Sequence, residues 1–143
     1  MNNEEFLISV YQNTKTAMQS IEDMYPKFRN SRLKQLMEDE QQQYKTIMEK
    51  CVELSKQKNI ELKDNNIFQK TMLWTSINFS TLTNKSSSHI AELFLLGTVR
   101  GTLKLYKDLK NNKNIDTQII DIAKQLLEFE EQSFERIKKY LKE

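Results

Sequence analysis

The stretch HIAELFLLGTVRG, residues 89–101, holds the only histidine of the chain and both of its glycines. His89 and Glu92 are three residues apart, so on a helix they share a face, and an imidazole beside a carboxylate can ligate a metal ion. Glu22, Glu40 and Glu130 lie on or beside apolar helical stripes elsewhere in the chain. Together, Glu22, Glu40, Glu92, Glu130 and His89 are the residues whose types could ligate a metal ion. Buried carboxylates without partners are costly, so any two that point inward must meet a cation, an arginine, a tyrosine hydroxyl or a metal. Arg100 and the tyrosines at 11, 25, 44 and 106 can serve.

Each of these residues also has a simpler role. Glu22, Glu40, Glu92 and Glu130 can sit at the stripe edge and reach solvent or a lysine. His89 follows three serines, and in the first turn of a helix it helps to satisfy free backbone groups. The positive end of the helix dipole there favours a neutral ring. The serines at 86–88 suit an anion as well as a plain cap. Cys51 falls on an apolar stripe, where a thiol packs as a small hydrophobe and has no partner for a disulfide. No glycine-rich loop leaves a strand, and one histidine cannot supply both a nucleophilic triad and a metal site. The sequence therefore gives no catalytic residue and no organic cofactor.

Gly97 and Gly101 are one turn apart on a stripe with Ile90, Phe94 and Leu105. Each costs a helix about 1 kcal/mol relative to alanine, so their presence predicts close packing. Counting across the following turn puts Phe129 level with Gly97, and its ring is expected to fill the space.

The elements that must position these residues follow from composition and spacing. In 143 residues there are only two glycines and one proline, too few for the turns of a β-protein. The spacing predicts a helix over 3–24, ended by Pro26, and a second over 30–58 capped by Asn30 or Ser31. A third segment, 66–82, is apolar on nearly all sides, with Asn66 and Gln69 as a capping pair. Helices over 87–109 and 116–142 follow, the last stapled by Ile115 and Ile120. One helix over 66–109 would be about 65 Å long, so a break or bend near the serines is expected. The fold class is all-α, an up-down four-helix bundle of one domain, 1–143, with an additional helix or a bent third helix at 66–109.

One carboxylate per helix in such a bundle resembles the ferritin-like superfamily, in which inward glutamates and two Glu-x-x-His pairs hold two metal ions. The chain is also similar to small helical-bundle proteins of Gram-positive bacteria. The resemblance covers most of the length and implies iron or manganese binding. The pattern departs where histidines belong: Glu40 is followed three residues later by Gln43, and Glu130 by Ser133. Glu40 is also about 6 Å along the axis from the level of Glu22, and Glu130 about 6 Å from that of Glu92.

The leading expectation is therefore a non-catalytic bundle, a scaffold that binds another protein or itself as a homodimer, with no cofactor. The surplus of apolar positions at 66–82 supports self-association. A carboxylate-rich metal protein of the di-iron or di-manganese type is the alternative. The net charge of +2, from 22 basic and 20 acidic residues spread along the chain, offers no basic tract for nucleic acid. Lys and Glu alternate on exposed faces, which argues against a membrane-surface helix, and no apolar run is long enough to insert. The start, MNNEEF, lacks a secretory signal, and the reading is a cytoplasmic bacterial protein.

Overall fold

A computed structural model describes residues 1–62 and 86–142, and within them the chain forms four long helices. The first, α1 (Asn3–Met24), opens with a capping box. The Glu5 N–H donates to Asn2 Oδ1 at 2.8 Å, and the Asn2 N–H donates to Glu5 Oε1 at 3.4 Å. Pro26 lies in a short 3₁₀ turn, Tyr25–Lys27, that ends α1 where its ring disfavours further α-helix. Asn30 then caps α2 (Ser31–Gln57) by accepting from the Arg32 and Leu33 N–H groups.

Helix α3 (Ser87–Asn111) starts afresh at the serines, with Ser86 in an extended conformation and its Oγ accepting from the His89 N–H at 3.2 Å. Ser86 is therefore outside helical geometry at the point where the break is expected. The apolar segment 66–82 and its Asn66–Gln69 cap lie outside the described residues. Asp116 precedes α4 (Thr117–Lys138), and its carbonyl accepts from the Ile119 and Ile120 N–H groups. Ile115 is buried and Ile120 half-buried against the core, as a hydrophobic staple requires.

The short connections make α1 antiparallel to α2 and α3 antiparallel to α4. Contacts at the two ends fix how these hairpins combine. At one end the Met1 ammonium donates to Asn112 Oδ1 at 2.7 Å, the Asp116 N–H donates to Asn3 Oδ1 at 2.9 Å, and Lys58 Nζ pairs with Asp116 Oδ2 at 2.7 Å. The start of α1, the ends of α2 and α3 and the start of α4 therefore share that end. At the other, the Lys142 N–H donates to Ser88 Oγ at 3.0 Å. It follows that α2 and α3 run parallel, and the chain leaves α2 at one end of the bundle and enters α3 at the other.

The core lies along the axis, with Phe6, Val10, Ile21 and Met24 from α1, Leu33, Met37 and Cys51 from α2, Ile90, Phe94 and Leu105 from α3, and Ile119, Leu126 and Ile137 from α4. Among the described residues no helix is long and apolar enough to cross a membrane.

Candidate functional site

The four stripe carboxylates separate into two classes. Glu40 and Glu130 are each only 2% exposed, inside the bundle, whereas Glu22 and Glu92 are exposed. Glu22 follows the buried Ile21 by one residue, about 100° around the helix, enough to turn it outward. Glu92 stands on the outer face of α3, with its nearer oxygen 3.9 Å from His89 Nδ1. The His89 backbone N–H is the group that Ser86 caps, in line with the simpler reading of that histidine.

Of the five expected metal ligands, Glu40 and Glu130 line one small cavity, whereas Glu22, Glu92 and His89 are not part of it. Among the described residues no three His, Cys, Asp or Glu side chains are grouped as ligands. The reason is helical phase, since two of the four acids sit one step off the inward stripe.

Glu40 is satisfied by Arg136, not by Arg100. The Arg136 Nε donates to Glu40 Oε1 at 2.9 Å and its Nη2 to Oε2 at 3.2 Å, a two-pronged contact between α4 and α2. The guanidinium also lies 5.4 Å from the centre of the Phe129 ring, which packs edge-on against Tyr44 with centroids 4.8 Å apart. Phe129 is therefore held at the α2–α4 interface, and it does not line the cavity that Gly97 borders. Arg136 precedes the buried Ile137, so only its stripe-edge position and long side chain hinted at this role.

The group that meets α3 at Gly101 is Glu130. A Cβ on Gly101 would lie 2.9 Å from Glu130 Oε2 and 3.2 Å from Asn13 Oδ1. Asn13 Nδ2 donates to the Gly101 carbonyl at 3.3 Å. The missing side chain at 101 thus makes room for a carboxyl and an amide from two other helices. Beside them is a cavity of about 20 Å³, room for one water molecule, with Gly97, Tyr44 and Ser133 in its wall.

Glu130 Oε1 is buried and has no hydrogen-bond partner. Burial pushes the Glu130 carboxyl up to about 8, so at neutral pH it carries its proton. Burial, with the nearby Glu130 and Glu40 carboxyls, also raises the Tyr44 phenol well above its usual range. Burial lifts the Cys51 thiol to about 12, which leaves it inert as a nucleophile. The Glu130 carboxyl, the Tyr44 phenol and the Arg136-bound Glu40 carboxylate thus line one small cavity, the first two in their neutral forms.

The other feature of α3 faces outward. Leu96 (43% exposed), Val99 (39%), Leu103 (51%) and Tyr106 (50%) are four of the seven large exposed apolar side chains among the described residues. They recur at spacings of three, four and three, which is the a/d spacing of a coiled-coil seam. The Tyr106 hydroxyl donates to Glu131 Oε1 of α4 at 2.7 Å, which holds the ring in place on this face. With Ile90, Phe94 and Leu105 buried on its other side, α3 is apolar on two faces. Comparison with protein-family models, with curated proteins and with solved structures finds no match to this chain.

Proposed function

We propose that the protein is a non-catalytic helical module that works by docking, through the outer seam of α3, against another amphipathic helix. The observation that carries this reading is the row Leu96, Val99, Leu103 and Tyr106, exposed and in a/d register. A single exposed leucine needs no explanation, but four aligned on one helix form a strip that water covers poorly. The interior supports the non-catalytic half of the reading: Glu40 is tied to Arg136, Glu130 is protonated, and Cys51 is inert.

The same reading takes the bundle as ferritin-like in layout, with that family's metal chemistry absent. Its support is the parallel course of α2 and α3, an arrangement that ferritin-like folds share. A cytoplasmic setting accords with a lone, free cysteine.

The test uses the dye 8-anilinonaphthalene-1-sulfonate at submicromolar protein. The wild-type protein is expected to enhance its fluorescence. Leu103→Glu should lose most of the enhancement while keeping its far-ultraviolet circular dichroism. No enhancement by the native wild type, or an equal signal from the variant, would show that the seam is not an open apolar surface.

A further inference from the structure

The seam is symmetric about residue 101. Leu96 and Tyr106 lie equally far to either side, as do Val99 and Leu103, and so do the exposed Glu92 and Lys110 that end the row. All six fall within about 40° of one line along α3, directly opposite the inward Gly101.

Resting on the docking reading above, the geometry points to a second copy of this chain as the occupant, with the two α3 helices antiparallel across a two-fold axis at the level of residue 101. In that arrangement Leu96 of one copy meets Tyr106 of the other, and Val99 meets Leu103. These are a-against-d layers, the pairing that an antiparallel coiled coil requires.

At each end Glu92 of one copy faces Lys110 of the other. A parallel pairing would instead set Glu92 against Glu92 and Lys110 against Lys110, so the charges select the antiparallel register. Because the interface is isologous, every contact occurs twice, and a self-complementary row is what a two-fold dimer needs. The row is about 27 Å long and one helix wide, at the small end of specific interfaces. The dimer therefore exchanges with monomer, with half-dissociation on the order of tens of micromolar.

Charge reversal tests the partner and the register together. Multi-angle light scattering on the full chain, over a concentration series at low salt, should show a monomer–dimer equilibrium. Glu92→Lys and Lys110→Glu should each weaken it about tenfold, since symmetry repeats each repulsion. The double variant Glu92→Lys/Lys110→Glu should return to within about threefold of wild type, because the swapped charges again face opposite signs. Thermal melts of the dilute proteins confirm that the variants fold.

A wild type that stays monomeric at millimolar concentration overturns the inference, as does a dimer indifferent to either reversal or not rescued by the double swap. Those outcomes leave docking intact if the dye still reports an open seam sensitive to Leu103→Glu. A seam that binds no dye removes both.

Discussion

Gly101 and Glu130 are matched across the bundle: the carboxyl of α4 occupies the space beside α3 that a side chain at 101 would need, 2.9 Å from the position of its Cβ. The glycine is therefore a packing requirement in the middle of a helix that would otherwise gain about 1 kcal/mol from alanine.

Gly101→Ala should change stability by less than about 1 kcal/mol, because the gain in helix propensity offsets a shift of the carboxyl toward the adjoining cavity. Gly101→Leu has no such space and should cost about 3 kcal/mol, lowering the melting temperature by ~10 °C. Calorimetry of the three proteins checks this, and equal melting temperatures would contradict the packing described.

Glu130 makes stability fall with pH. Its folded-state value of about 8 lies above the ordinary 4.5, so between these the folded chain binds more protons than the unfolded one. The favourable term is complete below pH 4.5, declines from there to pH 8 and is lost above it. Over that window the loss is on the order of a few kcal/mol. Glu130→Gln should flatten this part of the curve and be more stable than wild type at pH 9. Urea melts of both proteins from pH 4.5 to 9 measure the difference, and a constant gap would contradict a buried neutral acid.

The Glu40–Arg136 contact should behave as a pair. Arg136→Leu leaves Glu40, only 2% exposed, without its counter-charge and should cost about 3 kcal/mol. Replacing both by leucine should recover most of that loss, because two apolar residues leave no orphaned charge. A double-mutant cycle from urea melts gives the coupling, and additive losses would contradict it.

The bundle was legible because its signals are local and repeated. Caps at Asn30 and Ser86, the stop at Pro26 and the stripes through Leu33, Phe94 and Leu126 each point to the same helices as the structure. The placement of the inward acids was half legible. Glu40 and Glu130 sit on the inward stripe itself, whereas Glu22 and Glu92 sit beside it, and 100° per residue turned that small difference into inside against outside.

Partners across helices were not legible. Register between α2 and α4, or between α3 and α4, depends on packing that single-helix periodicity does not encode. Arg136 was therefore missed in favour of Arg100, and Glu130 was not foreseen as the group facing Gly101. The outer row Leu96, Val99, Leu103 and Tyr106 was present in the sequence all along. It merged with the inward stripe of the same helix until burial separated the two faces.

The most direct measurement is sedimentation velocity of the wild type and of Leu103→Glu over the same concentration series. The account predicts a weight-average sedimentation coefficient that rises from monomer toward dimer for the wild type and stays at the monomer value for the variant, with the same helical content in both. Identical concentration dependence for the two proteins would contradict association through the α3 seam.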